Sequence, residues 1–385
     1  MESGMESGRN NNPGTVPDRT GHRLLIINPG STSTKVSVFN GRRCLFTESV
    51  FHDAPELLRY PTANAQMPFR AAVIERILKE HGTGMETIDV WVGRGGCAYS
   101  QKAGVMEIDR TLAEDTASDK GGSDHPAKLG VMLAWEFGQR YGGKMYTVNP
   151  TNVDELCDLA RITGIAGVYR RAQTHVLNQK AIARKHAESH NMSYDSSSFI
   201  VCHIDGGITV TAHRNGRMED STEGAGGDGP FSPTRLGSIP AMELANYMET
   251  HSPGQVRTMC SRSGGFVSHF GTSNAQTVHD MMLAGDPKAQ TIWDAMIYQI
   301  CKSVGAMAVV LEGKVDAILL TGGLVRFADI PEKIEKRCSW IAPVFSYPGE
   351  IEQEAMDQAI MDVLEGKAQA FRYTGRPVFC GFGWE

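Results

Sequence analysis

Leu24-Leu25-Ile26-Ile27-Asn28-Pro29-Gly30-Ser31-Thr32-Ser33-Thr34-Lys35-Val36-Ser37-Val38-Phe39 is the stretch from which the rest of the chain is read. An uninterrupted apolar run of four residues predicts a buried strand. The polar, Gly-containing segment 29–34 predicts a turn, and residues 35–40 alternate like a half-buried second strand. The turn carries four successive hydroxyl residues after Gly30 and a lysine after them. Backbone N–H groups and hydroxyls in such a turn can surround phosphate oxygens, and Lys35 adds charge. No Walker loop is present, because Gly-x-x-x-x-Gly-Lys-Ser/Thr is absent and a strand follows rather than a helix. Taken alone, the segment is equally compatible with an ordinary polar hairpin.

Working outward, strand, glycine-rich turn, strand recurs at 199–214 in FIVCHIDGGITVTAHR, closed by an Asn215-Gly216 turn signal. Residues 91–93, 145–149 and 316–325 read as further buried strands. Helices are predicted over 129–143, with Leu129, Leu133 and Phe137 on one face, and from a capping-box spacing at Asn152 and Glu155 through residue 164. Further helices are expected over 291–314, with Ile297, Ile300, Val304 and Ala308 in register, and over 350–368. Strands alternate with helices, so the class is α/β. The repeated hairpin predicts two similar domains, each presenting a turn.

The chain has 385 residues, 41% of them apolar, which is enough for two domains with buried cores. Its net charge of −6 is spread along the sequence and argues against nucleic acid or an anionic membrane as a partner. The basic stretch 170–190 is read as a solvated helix face. Eight cysteines form no Cys-x-x-Cys pair or zinc spacing, and most lie among apolar neighbours as reduced core residues. Residues 1–22, with MESG twice in succession, are expected to be a disordered leader or cloning remnant. No apolar run reaches the roughly 18 residues of a membrane span, so a soluble, cytoplasmic protein is expected.

Two further segments carry chemistry. In His203-Ile204-Asp205-Gly206-Gly207, an acid and two glycines at a strand end would let backbone approach a ligand and let Asp205 face a metal. Gly322-Gly323 after another buried strand would accommodate a flat nucleoside. Each could also be a plain tight turn. In this order, the three segments resemble the acetate and sugar kinase/Hsp70/actin superfamily. LLIINPGSTSTKVSVF, HIDGGITVTAHRNGR and DGPFSPTRLGSIP (228–240) resemble the acetokinase family within it, over about residues 23–375. Acetate kinases usually read Asn-Ser/Ala-Gly-Ser-Ser-Ser and His-Leu-Gly-Asn-Gly at the first two sites, from which this chain departs.

The resemblance implies two domains of the actin-like ATPase (ribonuclease H-like) fold with an interdomain cleft. Residues 23–155 with about 355–375 would form one domain, and 156–354 the other, with the nucleotide site. It implies phosphoryl transfer between ATP and a short-chain carboxylate such as butyrate, with ADP and an acyl phosphate as products and Mg²⁺ as cofactor. Arg94 would bind substrate, and Arg235 and His175 would act at the transferring phosphate. His175 lacks the acetate-kinase surroundings Phe-His-Gly-Thr-Ser-His. Asn28, Gly30, Ser31, Ser33, Lys35, His203, Asp205, Gly206, Gly207, Gly322 and Gly323 would hold nucleotide. Asp154 would act in catalysis and at the metal, with Glu352 or Glu350 on the metal side. A homodimer or higher homo-oligomer is implied. The alternatives are an acetate, propionate or branched-chain acid kinase, or a non-catalytic nucleotide-dependent sensor on the same fold.

Overall fold

The computed structural model describes residues 21–30, 33–57, 59–96, 98–120 and 126–384. The first hairpin is formed by β1 (Arg23–Pro29) and β2 (Ser33–Asn40), extended by β3 (Arg43–Phe51) as an antiparallel meander. β4 (Val90–Gly93) joins parallel to β1, and β6 (Lys144–Val148) parallel to β4. β5 (Val105–Glu107) and the short C-terminal β12 (Phe371–Arg372) complete a seven-stranded sheet of order β12-β5-β6-β4-β1-β2-β3.

The second sheet repeats this arrangement. β7 (Ser198–Ile204), β8 (Ile208–Arg214) and β9 (Arg217–Ser221) form the meander. β10 (Ala317–Gly322) and β11 (Val344–Pro348) add in parallel, giving β11-β10-β7-β8-β9. Strand for strand this matches β6-β4-β1-β2-β3, so the duplication suggested by two similar hairpins is a duplication of topology. Asn215 and Gly216 both take positive φ in the two-residue turn between β8 and β9.

β1 reads as a continuous apolar run because both its faces are covered. Leu25 and Ile27 pack with Ile74, Ile77, Leu133 and Phe137 from the helices Met67–Glu80 and Lys128–Tyr141. Leu24 and Ile26 pack with Met356, Ile360 and Met361 of the terminal helix Glu352–Leu364, which leaves the second sheet and covers the first. β7 is sandwiched likewise. Ile200, Cys202 and Ile204 face Trp293, Ile297 and Ile300 of the helix Pro287–Val310, while Phe199 and Val201 face Ile182, Ala183 and Ala187 of the helix Val176–Ser189.

Three local expectations are corrected. No helix begins at Asn152: its amide donates to the carbonyls of Ala98 and Tyr99, and Glu155 accepts from the Met218 amide, leaving only a single turn at Asp158–Arg161. The basic stretch is not simply a solvated face. Lys180 is buried against Glu155 at 2.8 Å, Arg170 pairs with Asp220 and Asp228, and buried His186 meets the Tyr347 hydroxyl at 2.8 Å. Of the seven described cysteines, all free, Cys202 and Cys338 are buried while Cys44 and Cys380 are exposed. No described helix is long and apolar enough to cross a membrane.

Candidate active site between the two sheets

The duplicated topology places chemically loaded turns at equivalent positions. The turn after β1 is the hydroxyl-rich loop, and the turn after β7 is Asp205-Gly206-Gly207. Arg94 follows β4 as Gly323 follows β10, and such strand ends are where open α/β sheets bind ligands.

Arg94 is held across the gap between sheets. Its Nη2 donates to Glu352 Oε1 at 2.8 Å, and Glu352 Oε2 accepts from Asn28 Nδ2 at 3.0 Å. Residues far apart in sequence thus meet on one carboxylate. Burial alone would raise the Glu352 pKa, but Arg94 outweighs it and holds the group below the usual carboxylate value. Burial likewise works against the charged form of Arg94, and Glu352 reverses this and raises its pKa. Both groups are therefore ionised at neutral pH. Gly130 lets the start of the helix Lys128–Tyr141 close on Arg94, since a Cβ there would lie 2.1 Å from the Arg94 carbonyl oxygen.

Arg235 has no carboxylate partner among the described residues, and its buried Nε lacks any hydrogen-bond acceptor. Burial lowers its pKa to about 10, so it stays cationic at pH 7. Its guanidinium lies in the space a Gly207 side chain would fill, with Nη1 2.0 Å from the position of an added Cβ. The loop bearing it is stitched to the Asp-Gly-Gly turn, where Ser232 Oγ and Thr234 Oγ1 both donate to the Gly206 carbonyl at 2.6 and 2.7 Å.

Both arginines act electrostatically on the same pair of imidazoles. His175 and His203 stack with centroids 3.8 Å apart and planes 10° from parallel. Burial first, then His203, Arg235 and Arg94, keep the His175 pKa well below its ordinary value. Burial lowers that of His203 to about 4 despite the opposing charges of Asp205 and Glu352. Both rings are neutral at pH 7, and hydrogen bonding fixes the tautomer of His203. Gln179 Nε2 donates to Thr209 Oγ1 at 2.8 Å, and the same hydroxyl meets His175 Nδ1 at 2.9 Å. Asn178 Oδ1 accepts from the Ile351 amide, so its Nδ2 donates to Thr321 Oγ1 at 3.0 Å and to His203 Nδ1 at 3.1 Å. His203 therefore carries its proton on Nε2, facing Glu350 Oε1 at 3.5 Å.

That tautomer decides the metal chemistry. His203, Asp205 and Glu350 bring one ligand atom each within 4.8 Å of one another. A ring nitrogen that carries its proton cannot ligate, so the usable donors are the two carboxylates. Burial, then the negative charge of Glu352, raise the Glu350 pKa to about 7, the condition a divalent cation would relieve. Two carboxylate oxygens fit Mg²⁺, which retains waters and needs few protein ligands, better than zinc. Asp205 is oriented by the amides of Gly206 and Gly323, each at 2.7 Å.

The sequence-predicted residues therefore separate. Asn28, Arg94, His175, His203, Asp205, Gly206, Gly207, Arg235, Glu350 and Glu352 are brought together. Lys35 acts on Glu350, Gly30 and Ser33 close the first loop with a 2.8 Å backbone bond, and Gly322 and Gly323 abut Ile204 and Asp205. Ser31 lies outside the described residues. Asp154 belongs to another set: its Oδ2 accepts from Arg161 at 2.7 Å with both groups buried, and it lines a cavity of about 840 Å³ with Asn152, Arg170 and Phe379. Glu352, the preferred metal residue on sequence grounds, accepts from Arg94 through one oxygen and from Asn28 through the other. Asn178, which aligns His203, Thr321 and residue 351, carried no sequence signal.

A duplicated actin-like fold with cations converging between its sheets defines the class: a phosphotransferase or ATPase scaffold. The acetokinase family profile matches residues 163–333. A probable butyrate kinase of Enterococcus faecalis is 39% identical over 353 residues, covering 91% of this chain and 97% of that protein. One from Coprothermobacter proteolyticus is 37% identical over 356 residues, covering 92% and 100%. Among solved structures, Porphyromonas gingivalis acetate kinase aligns at TM-score 0.74 with 18% identity, over 89% of this chain and 100% of that one. A Francisella tularensis propionate kinase aligns at 0.69 with 16% identity, over 88% and 98%. The chain belongs to the acetokinase family.

Proposed function

We propose that the chain transfers a phosphoryl group directly between ATP and a short-chain carboxylate, butyrate foremost, giving ADP and the acyl phosphate. The observation that carries this reading is the convergence of Arg94 and Arg235 on two neutral histidines between the duplicated sheets.

A carboxylate is already an anion at pH 7, so the reaction needs no general base. The obstacle is repulsion between anions and the charge on the transferring phosphoryl oxygens. Arg94, aligned by Glu352, presents its remaining N–H groups to the acid's carboxylate. Arg235, which gives up no charge to a neighbouring carboxylate, meets the phosphoryl oxygens, and the neutral His175 ring serves the same group. The loop residues Asn28, Gly30, Ser31, Ser33 and Lys35 take phosphate, and Gly322-Gly323 takes the adenosine side. Asp205 and Glu350 would hold Mg²⁺, which when bound would neutralise phosphate charge.

A propyl chain differs from a methyl by two methylenes, each contributing about 0.8 kcal/mol when buried, so neighbouring acids should be turned over too. We assign residues 23–155 with about 355–375 to one domain and 156–354 to the other, and take the enzyme to be a cytoplasmic homo-oligomer. The test is incubation with ATP, Mg²⁺, hydroxylamine and each straight-chain acid from acetate to hexanoate. Magnesium-dependent hydroxamate, greatest with butyrate, is expected. A folded sample that binds ATP and yields no hydroxamate would sink the proposal, and a maximum at acetate or propionate would replace butyrate.

A further inference from the structure

Arg70, in the first turns of the helix Met67–Glu80, is completely buried yet faces no carboxylate among the described residues. Its donors go to neutral acceptors. Nε and Nη2 meet Gln66 Oε1 at 3.3 and 3.0 Å, and Nη2 also meets the Gly30 carbonyl at 3.0 Å. Nη1 meets Thr34 Oγ1 at 2.9 Å and the Ser33 carbonyl. Gly30 and Ser33 are the two ends of the hydroxyl-rich loop, joined by their own backbone bond. His52, at 2.8 Å from Thr34 Oγ1, offers no negative charge either. Burial, then Arg70 and Arg76, lower its pKa to about 4, so the ring is neutral.

Buried arginines are normally paired, because an isolated charge in the interior is costly. Burial lowers the Arg70 pKa only to about 10, so it keeps its proton at neutral pH. The hydrogen bonds are satisfied, while the charge meets no carboxylate among the described residues. The carbonyls this guanidinium holds, those of Gly30 and Ser33, belong to the loop read above as a phosphate cradle.

We propose that Arg70 is a positioning residue for phosphate binding: it pins the carbonyls of Gly30 and Ser33 on the inner side of the loop and supplies, from behind, a positive charge that only a bound phosphate neutralises. It acts through the loop and touches no substrate. The proposal rests on the carboxylate-kinase reading in that the phosphate is the nucleotide's.

The sharpest test leaves Arg70 in place. Gln66→Glu is isosteric, keeps the acceptor for Nε and Nη2, and places a carboxylate against the guanidinium, cancelling its charge without removing a contact. Binding of ATP and of adenosine to wild type and variant is measured by calorimetry, with thermal unfolding alongside. ATP should bind roughly tenfold more weakly to the variant, adenosine equally well, and the melting temperature should hold or rise. Equal ATP affinity in the two proteins overturns the proposal, as does a matching loss for ATP and adenosine, which would make Arg70 merely structural. Arg70→Met gives a second arm, in which added guanidinium ion should restore part of the ATP affinity. No rescue in a folded variant counts against the charge role. A wild-type protein that fails to bind ATP would overturn the kinase reading itself, and this proposal with it.

Discussion

Gly207 is bare because Arg235 occupies the space its side chain would need. The sequence reading took Gly206-Gly207 as a place where backbone approaches a ligand, whereas the second glycine makes room for the Arg235 guanidinium. The clashing atoms are the far end of a flexible side chain, so Gly207→Ala should displace Arg235 at little cost to the fold. We expect Gly207→Ala to lower kcat by about 100-fold with ATP affinity and melting temperature nearly unchanged, approaching Arg235→Ala. An alanine variant with wild-type turnover would show that the observed position of Arg235 is not the working one. The tautomer argument gives a second residue-level prediction. Asp205→Asn and Glu350→Gln should each raise the Mg²⁺ concentration for half-maximal activity about tenfold, whereas His203→Gln should lower kcat without moving that midpoint. A midpoint shift in His203→Gln would return the histidine to the metal. Arg94 and Arg235 were legible because each sits in a local motif. The partner that orients Arg94 was not, since Glu352 lies 258 residues away, and neither was Arg161 as the partner of Asp154.

At the scale of elements, the terminal helix links the sheets. Glu352 at its start holds Arg94, Gln353 Nε2 donates to Ser37 Oγ of β2 at 2.8 Å, and Met356 and Ile360 pack under β1. Asp357, one turn after Gln353, is buried, and both Asp357 Oδ1 and Gln353 Oε1 lack a donor. Burial raises the Asp357 pKa to about 7, against the pull of Arg42. A raised carboxylate pKa means that the folded state prefers the protonated acid. Stability is therefore lost as pH rises from the unfolded value near 4 to about 7, and stays at its lower level above that. Asp357→Asn keeps the neutral form at every pH. Its advantage over wild type should be absent below about pH 4 and grow to about 1–2 kcal/mol above pH 7, after allowance for solvent screening. Chemical denaturation at pH 5 and pH 8 measures this, and an advantage equal at both would refute the titration of Asp357 as its source. The helix itself was readable from its period. That its polar buried face meets β2 was not, because pattern alone does not say which sheet a helix covers.

At the scale of the whole molecule, the duplicated hairpin predicted two similar domains, whereas the strand order the two sheets share was not specified by the hairpin alone. What also lay beyond sequence was the surface left over. The helix Ala241–Met248 buries none of its residues and exposes Met242, Tyr247 and Met248, with Ile239 just before it. The segment 241–263 that it opens also carries Glu243, Glu249, Arg257 and Arg262, none with an ion-pair partner among the described residues. Two acids and two arginines beside an apolar stripe are what an isologous contact uses, each acid of one copy meeting an arginine of the other. The C-terminal end of the segment is tied to the Arg235 loop: Leu236 N donates to the Met259 carbonyl and Gly264 N to that of Thr234, each at 3.0 Å. A second copy seated here would therefore steady the loop that carries Arg235. Met242→Asp should convert the enzyme to monomers in sedimentation velocity and lower kcat more than it lowers ATP affinity. Sedimentation like that of the wild type would place the contact between copies elsewhere. Monomers with full turnover would uncouple assembly from Arg235.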